Sequence, residues 1–195
     1  MIIENTNAMP HAFDSFPVLH TERLDLIEVT SSHTPDLFQL VTDTRVSRFF
    51  NVMPATQVND MEKVVDRFRK MYADKTGIRW AIQLKGATNI IGTIGFYNIT
   101  DKHRGVLAYA ILPEYWNKGY VSEALKEVLR FGFKELELRR VDAEIRPGNI
   151  PSERVLLKYG FTHEGLLRQW VLWNGEYQNM NMYALVVNDW MVNNA

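Results

Sequence analysis

The clearest chemistry in this 195-residue sequence lies in residues 116–122, WNKGYVS. An apolar run, residues 108–112, leads through a short loop to Gly119, where a helical pattern begins. A helix N-terminus leaves N–H groups without intrahelical partners and carries partial positive charge, which together attract phosphate. Gly119 removes the side chain where a ligand must approach the backbone. Ser122 adds a hydroxyl donor and Lys118 a cation. The segment matches neither G-x-x-x-x-G-K-[ST] nor G-x-G-x-x-G, which disfavours nucleoside triphosphates and dinucleotides. Taken alone, Gly119 serves a phosphate site or simply turns a loop into a helix.

Other chemistries find little support. The chain has no cysteine, which excludes a disulfide scaffold, a thiolate nucleophile and a cysteine-ligated metal. His11, His20, His33, His103 and His163 are scattered without zinc-ligand spacing, so no metal is expected. No G-x-S-x-G elbow points to a serine hydrolase. Trp80, Trp170 and Trp173 read as core or pocket walls rather than platforms for nucleic-acid bases, given a net charge of −1.

The elements that must position the loop follow from periodicity. Leu24, Leu26 and Val29 alternate with polar residues, as in a half-buried strand. Thr34 is the expected cap and Pro35 the start of a helix containing Leu37, Leu40 and Val41. A second helix spans about residues 59–72, with Met61, Val64, Val65, Phe68 and Met71 on one side. Strands follow at residues 79–84, 90–97 and 105–112, the last apolar enough for burial on both faces. A helix from Gly119 to about Glu135 turns Val121, Ala124, Leu125, Val128, Leu129 and Gly132 inward. After a strand at 141–145, Asn149 caps a helix that carries Pro151 and stops at Gly160. Asn174-Gly175 marks the turn of a closing hairpin. This order gives an α/β or α+β domain with a mixed sheet.

Length suits one domain, residues 18–190, behind a flexible N-terminal extension of residues 1–17. The 46% hydrophobic and 23% charged fractions are those of a soluble globular protein. Interspersed charges leave no electrostatic footprint for nucleic acid. The N-terminus lacks a secretory signal, and no apolar run approaches the roughly 20 residues that span a bilayer. A cytoplasmic protein without a membrane partner is expected.

With its surroundings, the loop resembles the GCN5-related N-acetyltransferase (GNAT) superfamily, and within it the RimJ/RimL-like branch that modifies ribosomal-protein N-termini. Five separated pieces carry the resemblance in order: TERLDL, IIGTIGFYNI, AYAILPEYWNKGYVSEAL, NIPSERVLLKYGF and LLRQWVLWNGEYQNMNMYAL. They span nearly the whole chain. The resemblance implies the GNAT fold, with acetyl-CoA bound between two splayed central strands and an amine as acceptor. The acceptor is a protein N-terminus or a small molecule such as a polyamine, an antibiotic or an amino-acid conjugate. A non-catalytic acyl-CoA-binding protein is the alternative from another class. Relatives occur as monomers or homodimers, and a homodimer is the assembly expected.

By the same resemblance, the backbone of Ala110, Ile111 and Leu112 would pair with the pantetheine arm. Asn117, Lys118, Gly119, Tyr120, Val121 and Ser122 would wrap the pyrophosphate, and Asn149 would hold the pantetheine or the reacting end. Glu144 matches the base of a Glu-x-Arg-x-x-Asn pattern shared with Arg146 and Asn149; a surface ion pair with Arg146 or Arg140 is its other reading. Ser152 matches a serine proposed to protonate the leaving thiolate, and it also suits a helix start. The chain departs from the family in several places. Val121 puts a larger side chain where the loop usually has Gly or Ala, which is tolerable if it points into the core. Val171 stands where RimL-like relatives carry a Glu on the closing hairpin, and Asn179 where the family has Asp.

Overall fold

Alternation along the strands decides how the sheet divides the molecule. The computed structural model describes residues 11–50, 55–173 and 175–193. Among them, eight strands form one mixed sheet. They are β1 (Leu19–His20), β2 (Leu24–Glu28), β3 (Ile78–Leu84), β4 (Ile90–Thr100), β5 (Arg104–Ile111), β6 (Arg140–Ile145), β7 (Thr162–Trp173) and β8 (Glu176–Val186). Their spatial order is β1-β2-β3-β4-β5-β6-β8-β7. The helices are α1 (Thr34–Thr42), α2 (Thr44–Ser47), α3 (Glu62–Ala73), α4 (Tyr120–Lys134), α5 (Ile150–Lys158) and α6 (Val187–Asn193).

Successive strand residues face opposite sides. Trp80 and Ile82 of β3 therefore join Leu125 and Leu129 of α4 in the larger core, while Ala81 joins Leu37, Val64 and Val65 under α1 and α3. Each such aliphatic side chain contributes about 1.5–3 kcal/mol when removed from water. Helix α4 lies tight on the sheet, because a Cβ at Gly132 would stand 2.8 Å from Cζ of Phe96. Trp80 meets Phe131 edge-on at 5.2 Å.

The expected strands and helices are all present, with bounds shifted by up to three residues. His33, not Thr34, is the N-cap of α1; Thr34 is its first helical residue and bonds back from Oγ to the Ser31 carbonyl. A 3-10 turn, Val58–Met61, precedes α3. β1, α2 and α6 had no sequence signal, since two to seven residues are too few for a period to show. Trp190 of α6 stacks on Phe133 at 5.0 Å.

Residues 11–17, expected as part of a flexible extension, are held against the core. Phe13 is buried, Phe16 lies 5.1 Å from the Tyr72 ring, and Trp80 Nε1 donates to the Pro17 carbonyl at 2.7 Å. Residues 1–10 lie outside the described residues. So does Asn174 of the expected hairpin turn, whose Gly175 has a φ of +80°.

One interruption of the sheet matters for function. β5 stays paired with β4 from Val106 to Ile111, but its parallel pairing with β6 covers only Arg104–Leu107 against Arg140–Ala143. Beyond that point the chains part. Residues 108–111 follow β4, while Glu144 and Ile145 follow β8, opposite Met182 and Asn181. A wedge opens between two strands of one sheet.

Candidate functional site

The wedge exposes backbone on one edge of β5. Leu112 donates its N–H to the Ile91 carbonyl on β4, so Leu112 and Ala110 direct their backbone groups to the paired edge. Ile111, one residue out of phase, turns its groups to the open edge. Its carbonyl accepts from the Trp116 indole N–H at 2.9 Å, which leaves its N–H for a ligand. Of the three residues expected to pair with a pantetheine arm, Ile111 is the one whose amide is aimed there. Leu112 is instead buried beside Leu40 and Val46.

At the wedge's outer end stands the loop. Asn117 and Gly119 both have left-handed backbone, with φ of +57° and +80°. Gly119 is the N-cap of α4, and the first helical bond runs from Glu123 N–H to its carbonyl. The N–H groups of Tyr120, Val121 and Ser122 are therefore the leading donors of a 15-residue helix. Long-range contacts hold this end in place. Glu123 accepts from Thr21 Oγ1 at 2.6 Å, from Arg23 N–H at 2.7 Å and from Arg23 Nε at 2.7 Å. Arg23 also donates to the Lys118 carbonyl at 3.1 Å and covers the Tyr120 ring at 4.5 Å. Burial pushes the Glu123 pKa up, but these hydrogen bonds outweigh it and leave the pKa below the ordinary carboxylate value.

A cavity of about 440 Å³ runs from the loop into the wedge. Ala110, Ile111, Asn117, Gly119, Tyr120, Val121, Ser122 and Asn149 all line it, so the structure brings together eight of the ten residues expected at the coenzyme. Leu112 and Lys118 are not on its wall; the Lys118 ammonium lies 5.5 Å from the Tyr115 ring. Val121 is half-buried against the main core, the orientation that makes its side chain tolerable in this loop.

A second cavity, about 400 Å³, opens on the other side of the wedge. Phe49, Phe50, Tyr109, Asn149 and Ser152 line both, and so mark where they meet; the last three bring the polar groups. Glu144 lines the second cavity, half-buried. The expected surface pairings do not form. Arg140 pairs with Asp142 and Glu164, while Arg146 donates to the Arg48 carbonyl and lies over Trp173. Glu144 makes no ion pair among the described residues. Its neighbour is the Tyr97 phenol, whose pKa is raised by burial first and then by the Glu144 charge.

Ser152 is buried in the first turn of α5, where its N–H bonds the Asn149 side-chain oxygen at 3.4 Å. Asn149 thus caps the helix with its oxygen and keeps its amide N–H₂ for other partners. The Ser152 hydroxyl faces the wedge, 2.6 Å from the Tyr109 hydroxyl. Tyr109, pushed up to about 12 by burial, stays protonated at neutral pH. Sequence reasoning missed this residue. Its signal was one hydroxyl in the apolar run GVLAYAIL, a polar tip that burial obliges to find a partner.

Tyr159 donates from its hydroxyl to the Ser122 carbonyl at 2.5 Å and so ties the end of α5 to the loop helix. Val171 lines the second cavity and brings no carboxylate. The Asn179 side-chain oxygen accepts from the Gln169 N–H at 2.8 Å, closing a bulge of the hairpin, and Gln169 has a φ of +52°. The amide there has a structural task.

Residues 23–162 match the family model described as acetyltransferase (GNAT) domain. Over 172 residues the chain is 36% identical to the protein named "Uncharacterized N-acetyltransferase YoaA" of Bacillus subtilis (strain 168), covering 88% of this chain and 97% of that one. It is 26% identical to the ribosomal-protein-serine acetyltransferase of Escherichia coli (strain K12), over 86% of this chain and 95% of that one. A solved structure of RimL, the ribosomal L7/L12 alpha-N-protein acetyltransferase, in complex with coenzyme A superposes with a TM-score of 0.79. That match has 22% identity and covers 89% of this chain and 99% of that one.

Proposed function

The chain belongs to the acetyltransferase (GNAT) domain family and is an N-acetyltransferase using acetyl-CoA; on that premise we propose that it acetylates a primary amine, the α-amine of a protein or peptide N-terminus. The observation that carries this reading is the meeting of two cavities at Tyr109, Asn149 and Ser152, with the leading donors of α4 in one and Glu144 in the other.

The residues suit the coenzyme. Three leading N–H groups of α4 match a pyrophosphate, and the open-edge N–H of Ile111 matches an amide-bearing arm. Acetyl-CoA supplies the acetyl group as a thioester. Glu144 takes the proton that makes the amine an ammonium ion, and the freed nitrogen bonds the acetyl carbon. Ser152, backed by Tyr109, gives a proton to the departing sulfur. As the carbon–sulfur bond breaks, the nitrogen's second proton makes good the one Ser152 gives, so an ammonium ion and a thioester become an amide, a thiol and one proton held by Glu144.

An N-terminal α-amine, with a pKa of about 7.7–8.0, is roughly a tenth neutral at pH 7, whereas lysine at about 10.4 is almost wholly charged. One half-buried carboxylate without a second base is therefore better matched to the α-amine. The ribosomal-protein name among the relatives supports the same acceptor class. A homodimer and a cytoplasmic location belong to this proposal; among the described residues no helix is long and apolar enough to cross a membrane.

A screen for free CoA release tests the reading, with peptides free or blocked at the N-terminus and lysine-bearing peptides beside them. Release with free N-termini alone is expected. Release that ignores N-terminal blocking would overturn the acceptor class. Acetyl-CoA that stabilises the protein without any release would favour a binding protein.

A further inference from the structure

The second cavity holds two cations that the transfer chemistry does not use. Arg79 of β3 is 6% exposed and lines its wall. Its NH1 donates to the Ala108 carbonyl at 2.6 Å and its NH2 to Thr93 Oγ1 at 3.0 Å, while Nε is buried without a partner. Arg67 of α3, exposed, lines the same cavity. Neither makes an ion pair among the described residues. Around them stand Phe50 and Phe68, 5.7 and 5.9 Å from the Arg79 guanidinium carbon.

A buried guanidinium without a carboxylate is costly. Burial, and then repulsion from Arg67, lowers the Arg79 pKa from its ordinary value. An anion entering the cavity would relieve both effects. Phe50 and Phe68 offset part of the cost through their ring faces, but they supply no negative charge. Among the described residues, Glu144 is the one carboxylate lining the cavity. Tyr97 lines this cavity together with Glu144 and Arg79, and both charges act on its phenol. The lining thus offers an acid for an amine and two arginines for an anion.

We infer that the acceptor carries a carboxylate close to its reacting amine, and that Arg67 and Arg79 hold that carboxylate while the amine faces Glu144. This rests on the proposed function above, in which this cavity takes the acceptor. The carboxylate is that of a free amino acid or of an acidic side chain near a peptide's N-terminus. Polyamines and other cationic acceptors are disfavoured by the same two charges.

The test pairs each carboxylate with its neutral isostere: amino acids against their amides, and peptides with Asp or Glu in the first two positions against Asn or Gln. CoA release gives kcat/KM, and thermal shift with CoA present gives binding without turnover. Carboxylates are expected to win at least tenfold, chiefly in KM, and Arg67→Gln to erase most of that ratio. Arg67 sits exposed on a helix surface, so this variant folds even if Arg79→Gln does not. Preference among peptides alone identifies an acidic side chain as the source; preference among free amino acids alone supports the anion site and overturns the peptide acceptor proposed above.

Equal turnover of isosteres, preference for cationic acceptors, or a ratio unmoved by Arg67→Gln would overturn the inference and leave acetyl transfer standing. Carboxylate-selective stabilisation lost in Arg67→Gln, without any CoA release, would support the anion site and sink the proposed function. Absence of both turnover and stabilisation with every carboxylate would overturn the inference.

Discussion

At the junction of the cavities, the Tyr109–Ser152 pair puts two hydroxyls 2.6 Å apart where strand and helix approach. A thiol with a pKa near 8.5 is a tolerable leaving group, so proton donation should contribute at the low end of acid–base catalysis. Ser152→Ala is expected to lower kcat by on the order of 10²-fold, with Tyr109→Phe acting in the same direction and less. Steady-state kinetics with acetyl-CoA KM unchanged would agree; a loss confined to KM would assign the pair to coenzyme binding. Glu144→Gln should also cost about 10²-fold in kcat/KM at pH 7. The gap should narrow as pH rises through the α-amine pKa near 8, because the amine then loses its proton unaided. A constant gap across pH would remove Glu144 from the base role.

The loop and the start of α4 act as one element. Gly119 has a left-handed backbone, and a side chain there would meet Arg23, since its Cβ would lie 3.4 Å from NH2. Gly119→Glu adds strain and a negative charge beside the donors, so acetyl-CoA should no longer raise the melting temperature; retained stabilisation would place the coenzyme elsewhere. Glu123 fastens this element to Thr21 and Arg23. Its folded pKa lies below the unfolded value, so its stabilisation is complete above about pH 4.3 and fades as pH falls through the folded value. Glu123→Gln should lower the melting temperature at pH 7 and lose that acid sensitivity in a pH series.

At the scale of the molecule, the wedge exists because β5 must serve two neighbours. It keeps β4 throughout and gives up β6 after Leu107. The core beneath α4 is closed at one end by residues 11–17, so truncation there is an injury to the fold. Phe13→Ala should cost about 3 kcal/mol, read from urea unfolding, while acetyl-CoA still stabilises what remains folded. Unchanged stability would return these residues to a loose extension.

Local pattern by itself determined the order of the main strands and helices, the mixed sheet and the glycine at the start of α4. Alternation, a 3.6-residue period and cap residues are properties of neighbours in sequence. The family resemblance supplied the coenzyme and the ten residues expected to hold it, and eight of those ten line one cavity. Tertiary structure alone decided the rest. It set which edge of β5 faces the wedge, paired Tyr109 with Ser152 across 43 positions, and turned Glu144 from a surface ion pair toward a cavity. It also placed Arg67 and Arg79 in that same cavity. Each outcome depends on where two distant segments meet, and no pattern within a single segment records that meeting.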